Sequence, residues 1–445
     1  MVRLQKQLEQ IREALFHTED LTIRSFEVEG QMAKLVFLET LCDEEKLQIS
    51  LFKQWFRAKS NQYPDLELDQ LLTAVDIKEV TAVDEAVKEL LKGKGIIGLD
   101  SGRVWFAFNA GMDTIRSIQE PVNELSIVGE RAGFVESMTT NLHLLRSRVS
   151  TGEFRVRYCS LGRQSTHRVA VVWIEEIADK EIVEETYQRI SRFTTNREVH
   201  PGRLQRQLME SKYSIFPQIF GTERIDATAG LLMQGRIAVI CDQSSTCLIV
   251  PASLYTFMQS VDAYLLGKGI ALLLHSLRAI GMFLSLYACA LYIAIVTFHH
   301  EVLPAKMSIS IKSSLENVPY PPFIEAILMI VIFQLIAEAT IRLPSQLAQM
   351  TGVAGGIIIS ESLVKIGFVS NVYIVIIALS MIGNFMIPTF QMRIFAFAGQ
   401  MLLVFGSAIL GFYGIAFVTI ALLIHFFTLE PFGVPYCMPI RSRAK

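Results

Sequence analysis

Cysteine is scarce: six residues in 445, with no CxxC pair and no metal-ligand spacing among Cys42, Cys159, Cys241, Cys247, Cys289 and Cys437. That excludes a readable zinc site and a disulfide framework, and leaves buried free thiols in a reducing compartment as the expectation. Reaction-centre signatures are missing as well. There is no GxSxG, no HExxH and no paired-carboxylate pattern. The "GKG" at Gly93–Gly95 lacks the spacing and trailing Ser/Thr of a phosphate-binding loop. His17, His143, His167 and His200 are scattered in polar contexts, as satisfied or solvated histidines are. These absences argue against an enzyme and against a cofactor or metal. A formal net charge of -2 gives no reason to expect nucleic acid. The opening "MVRLQKQLEQIREALF" has the pattern of an amphipathic helix, not a basic stub followed by an apolar core. No secretory signal is expected, and the soluble part is expected to stay in the cytoplasm.

Charge is the next shortage, and it is local. Residues 261–445 carry 17 Asp, Glu, Lys and Arg, against 67 in the first 260. With 51% hydrophobic residues and a mean hydropathy of +0.39, the chain reads as a soluble half followed by a membrane half.

The soluble half contains a repeat. "LVFLETLCDEE" (Leu35–Glu45) matches "VVWIEEIADKE" (Val171–Glu181), each a buried strand, an acidic turn and a helix start capped by Asp43 or Asp179. "LLKGKGIIGLDSGRVWFAF" (Leu90–Phe108) matches "LMQGRIAVICDQSSTCLIV" (Leu232–Val250), each a helix stopped by Gly93 or Gly235, a strand, a turn led by Asp100 or Asp242, and a second strand. The expected fold class is an α/β soluble half of two similar subdomains, 1–118 and 131–258, joined by a linker at 119–130, followed by an α-helical multi-spanning transmembrane domain at 265–430 and a cytoplasmic tail at 431–445. A bilobed domain of this kind either binds a ligand in its cleft or serves as a docking module.

Uncharged runs mark the spans: 22 residues at Ala279–His300, 27 at Ile366–Met392 and 36 at Ile394–Leu429. About 20 apolar residues suffice to cross a bilayer. Four to six crossings are expected, with cores near 272–297, 322–341, 352–368, 372–390 and 394–426. The last run, with Gly406, Gly411 and Gly414, is one long tilted helix or a tight hairpin, and 352–368 is a full span or a re-entrant piece. The basic "RSRAK" end favours a cytoplasmic C-terminus, which places Phe298–Pro322 outside with "KMSISIKSSLENV" as an interfacial helix. Adjacent His299 and His300 point to different faces and make poor joint metal ligands.

A few charges sit inside the apolar segments. Glu361 and Lys365 share a helix face four residues apart, after Ser360 and the small pair Gly355 and Gly356. This face either ends in the headgroups or lines a hydrated pore or subunit contact, because a bare charge at bilayer depth costs about 2.5–3.5 kcal/mol. Glu325, one turn inside its span, is expected to reach water. Glu338 and Arg342 read as an ion pair at a helix end.

Five stretches carry a family likeness. Phe216–Leu265, Gly129–Val149, Leu291–Ile311, "GIIISESLVKIGFVS" and "PFGVPYCMP" (Pro431–Pro439) resemble spore germinant receptor A subunits, the GerA family. The resemblance implies an integral protein of the spore inner membrane with a cytoplasmic N-terminal domain. It implies a transporter-like B subunit and a lipoprotein C subunit as partners, and a homo-oligomer, pentameric by resemblance, that passes cations when nutrient binds. A SpoVAF-type accessory scaffold of the dipicolinate-release machinery is the alternative relative. The sequence departs from the family pattern at Ser360, Glu361, Ser362 and Lys365, and has Ile225 where the family's TER-Pro-Asp motif has proline.

Overall fold

The computed structural model describes residues 2–28, 31–48, 77–99, 104–112, 121, 124, 132–161, 167–193, 201–211, 213–259, 268–316, 318–342 and 361–438. It divides into an α/β unit, residues 1–212 and 219–252, and a helical unit, Tyr213–Gln218 and Ser253–Pro439.

Among the described residues the α/β unit holds two five-stranded sheets of the same design. In the first lobe, helix α1 (Val2–Ala14) precedes the hairpin β1 (Leu21–Val28) and β2 (Gln31–Leu38). Then come edge strand β3 (Lys78–Val80), helix α2 (Val83–Leu91) and the hairpin β4 (Lys94–Leu99) and β5 (Trp105–Asn109). The second lobe repeats the order with α3 (Met138–Arg148), β6 (Phe154–Leu161) and β7 (His167–Ile174). It adds α4 (Lys180–Ser191) and α5 (Pro201–Leu208) before β8 (Phe220–Thr222), α6 (Ile225–Leu232), β9 (Ile237–Cys241) and β10 (Cys247–Val250). The sheet orders are β1-β2-β4-β5-β3 and β6-β7-β9-β10-β8, and every pairing is antiparallel.

The local causes match between lobes. Asp43 and Asp179 each accept the backbone N–H two residues on, at 2.8 and 3.0 Å, and so cap the helices that follow β2 and β7. Gly93 and Gly235 end α2 and α6 at φ +79° and +86°, a left-handed conformation open to glycine at little cost. The second half of β2, Leu35–Leu38, is an unbroken apolar run because both its faces are covered. Val36 and Leu38 join Leu8 and Ile11 of α1 and Leu15 just after it, while Leu35 and Phe37 pack with Leu47, Ile97 and Phe108.

The lobes share a buried polar clasp. Asp20, between α1 and β1, is fully buried and accepts from Thr18 Oγ1 at 2.5 Å, Thr40 Oγ1 at 2.6 Å and the Arg146 guanidinium of α3. Beside it the Glu19 amide donates to Val156 O at 3.1 Å, and the Tyr158 amide donates to Glu19 Oε2 at 2.6 Å. Residues 18–20 thereby cover edge strand β6. His143 Nδ1 lies 3.0 Å from Thr40 O, and burial lowers the pKa of this imidazole.

In the helical unit, α7 (Leu254–Met258) precedes α8 (Lys268–Thr297), α9 (Ala305–Glu316), α10 (Pro322–Arg342), α11 (Asn371–Phe385), α12 (Phe390–Leu410) and α13 (Phe412–Thr428). Among the described residues three stretches are long and apolar enough to cross a membrane: Gly269–Thr297, Pro322–Ala339 and Phe390–Leu410. α11 and α13 are shorter and equally apolar. The long uncharged run is therefore two helices. It breaks at Gly411, φ +63°, and α13 turns back so closely that a Cβ on Gly414 would collide with the carbonyl of Gly406. α9 buries none of its side chains.

The segment 431–436 is packed: Pro431, Phe432 and Tyr436 are buried, Tyr436 N–H donates to Leu429 O, and Leu254 N–H donates to Tyr436 O. Residues 213–218 pack in this unit too, with Phe216 stacked on Phe395 at 4.2 Å and Ser214 Oγ 3.0 Å from His425 Nε2.

Candidate functional site: a buried carboxyl among the apolar helices

Glu325 lies in the first turn of α10 with no exposed surface. The expectation that it reaches water fails, and the reason is a partner on another helix. Ser370 is the N-cap of α11, and both its amide, at 2.6 Å, and its hydroxyl, at 2.7 Å, donate to Glu325 Oε1. Ser370 Oγ in turn accepts the Tyr373 amide at 3.2 Å and lies 3.3 Å from the Tyr292 hydroxyl of α8. The Tyr373 hydroxyl donates to Ala326 O at 3.4 Å, and the rings of Tyr292 and Tyr373 sit 5.1 Å apart. Three helices thus converge on one carboxyl.

The polar seam continues along α11. Ser370, Tyr373, Ile377, Ser380 and Asn384 recur at helical spacing and are all buried. Gln400 of α12 donates to Ser380 Oγ at 2.9 Å and to Cys289 Sγ at 3.2 Å, and Ser380 Oγ donates to Ser285 O at 3.1 Å. Between helices in an apolar environment such bonds hold neighbours in register, each worth about 0.6–2 kcal/mol. Among the described residues no group of His, Cys, Asp and Glu could hold a metal ion. All six cysteines are unpaired, five of them buried.

The other anticipated residues fall elsewhere. Lys365 Nζ and Glu361 Oε1 are 2.6 Å apart, and both side chains are exposed, at 73% and 62%. Ser360, Gly355 and Gly356 lie outside the described residues, as does the side chain of Arg342. Glu338 is exposed. In the α/β unit the "TERID" turn is an ion-pair lock. Arg224 grips Asp226 through two bonds of 3.0 and 2.7 Å and, against the pull of burial, holds its carboxyl below the usual range. Ile225 occupies the first position of α6, buried.

Ser370, Tyr292, Tyr373 and Gln400 escape a sequence reading. The available signal is a Ser-Asn cap before an apolar run with polar residues at helical spacing, which reveals a buried face without naming its partners.

The sequence profile described as Bacillus/Clostridium GerA spore germination protein matches residues 9–444. The chain belongs to the GerA family of spore germination proteins. This GerA-family chain is 30% identical over 443 residues to spore germination protein KA of Bacillus subtilis, covering 98% of the chain and 81% of that protein. It is 32% identical over 377 residues to spore germination protein A1 of the same organism, covering 84% and 78%. It is 30% identical over 444 residues to spore germination protein GerLA of Bacillus cereus, covering 97% and 89%. Among solved structures, the N-terminal domain of the A subunit of the Bacillus megaterium spore germinant receptor GerK3 matches at 23% identity and a TM-score of 0.42, covering 55% of this chain and 93% of that one.

Proposed function

We propose that this GerA-family chain is the A-type subunit of a spore nutrient receptor that oligomerises, as a pentamer, into a nutrient-gated cation-conducting assembly. A transporter-like B subunit and a lipoprotein C subunit are its partners, and the spore inner membrane its site, with the α/β unit on the cytoplasmic side. The reading is carried by one observation: Glu361 and Lys365 form an exposed ion pair within a sequence that is otherwise apolar. Acyl chains do not solvate such a pair, so water or another protein chain must. We assign Ser360, Glu361, Lys365, Gly355 and Gly356 to the wet path or the subunit contact.

The test is ion flux across liposomes holding the chain with its B and C subunits, with and without nutrient. Nutrient should start cation release, and Glu361→Ala should change its rate by several-fold at unchanged protein abundance. Unchanged release at normal abundance refutes the pore assignment. Absence of nutrient-dependent flux in the wild type favours the accessory-scaffold reading.

A further inference from the structure

Glu325 has one oxygen without a partner. Oε1 accepts two hydrogen bonds from Ser370, whereas Oε2 is buried and receives none. The protons around it can be assigned one by one. Ser370 Oγ spends its hydrogen on Glu325, so its two lone pairs take the Tyr373 amide and the Tyr292 hydroxyl. The Tyr373 hydroxyl spends its own on Ala326 O. Every hydrogen of these hydroxyls is then directed elsewhere, and none is left to reach Oε2.

A buried water would give Oε2 a hydrogen bond but leave a carboxylate without a counter-charge; three things can do more. A basic side chain is one, but no ion pair to Glu325 occurs among the described residues. The titratable groups facing the cluster are Tyr292 and Cys289 on α8 and Tyr373 on α11, and none of these side chains can be a cation. A metal cation is the second. It needs several free oxygens, and those of Ser370 are taken while the Tyr292 hydroxyl donates. A proton is the third and needs only Oε2 itself. Against it stand the N-termini of α10 and α11, whose dipoles favour an anion. Removing a bare carboxylate oxygen from water outweighs that help.

We infer that Glu325 is a proton-binding site, and that its carboxyl is protonated in the fold described. The neutral acid clamps α10 to the start of α11. Loss of the proton places a charge where no described residue pairs it, so water enters and the clamp opens. The helical unit thereby contains a proton-dependent catch, whether or not the assembly conducts ions.

Infrared spectra of the purified full-length chain in lipid vesicles test this. At neutral pH the wild type should show a protonated-acid carbonyl band that is missing from Glu325→Gln. The amide closely copies the neutral acid, so this variant should accumulate as the wild type does and keep the Ser370 amide protected from hydrogen exchange. Alkaline titration should remove the band and that protection together in the wild type and leave the variant unmoved. A wild type without the band, a band that survives in Glu325→Gln, or a variant that fails to accumulate overturns the proposal.

Discussion

Asp20 and Glu325 are both fully buried carboxyls, and the two units treat them in opposite ways. In the α/β unit Asp20 is closed by the guanidinium of Arg146 and two threonine hydroxyls. In the helical unit Glu325 is met by one serine at a helix start and by no cation among the described residues. The difference follows from the surroundings. An α/β fold can draw an arginine from a second lobe, 126 residues away, whose attraction offsets part of what desolvation of the carboxylate costs. Between lipid-facing helices an arginine is itself expensive to place, so neutral donors and helix ends take over.

Breaking the paired case should give the largest effect. Asp20→Ala leaves Arg146 charged and buried among groups that cannot replace its partner. A loss of about 3–5 kcal/mol is expected, read as thermal or denaturant unfolding of the α/β signal in the detergent-solubilised full chain. Combining it with Arg146→Met should recover a large part of that loss, because the orphaned charge goes too. If the double variant is as unstable as the sum of the singles, the clasp is not the coupled pair described here.

The helical unit should fail by a different route, since its contacts rest on close approach more than on paired charge. Gly414→Ala drives a methyl into the carbonyl of Gly406 where α12 and α13 fold back on each other. Overpacking of that kind costs about 1–3 kcal/mol. The expected readout is earlier loss of helical structure on heating in detergent, with the α/β transition unmoved. An unchanged helical transition would mean that α12 and α13 can separate enough to admit the methyl.

How far the sequence discloses this comparison differs between its two sides. The repeat is legible because Gly93 and Gly235 stop equivalent helices and Asp43 and Asp179 start equivalent ones, all through local chemistry. Hairpin partners β1 and β6 are not, because "LTIRSFEV" and "FRVRYCSL" mix polar and apolar residues on half-buried edges, and β3 and β8 span only three residues each. The apolar runs announce helices that can cross a membrane, but whether the 36-residue run bends is settled by the close approach of Gly406 and Gly414, which spacing alone leaves open. Asp20 with Arg146 and Glu325 with Ser370 are joined across 126 and 45 residues. Nothing local ties such partners, and so Glu325, one turn from a helix end, reads as a wetted charge when it is a buried one.

Glu89 offers an intermediate case that sharpens the contrast. Its side chain is 3% exposed, yet Lys92, Lys94 and Lys78 approach to 3.0, 3.1 and 3.4 Å. Burial pushes its carboxyl up, but the three ammonium groups prevail and hold it down to about 2. With an unfolded value near 4.3, the folded chain binds this proton less readily than the unfolded one. Its contribution is therefore complete above about pH 4.3 and drains away as pH falls toward 2. Because Lys78 and Lys92 stay largely in solvent, which screens them, Glu89→Gln should cost only about 1–2 kcal/mol at neutral pH, well short of Asp20→Ala. The gap between variant and wild type should close on acidification, since both side chains are then uncharged. A gap that stays constant from pH 7 to the acid limit would show that the lysines contribute packing and not charge, and would remove Glu89 from the series that runs from a paired carboxylate to a neutral one.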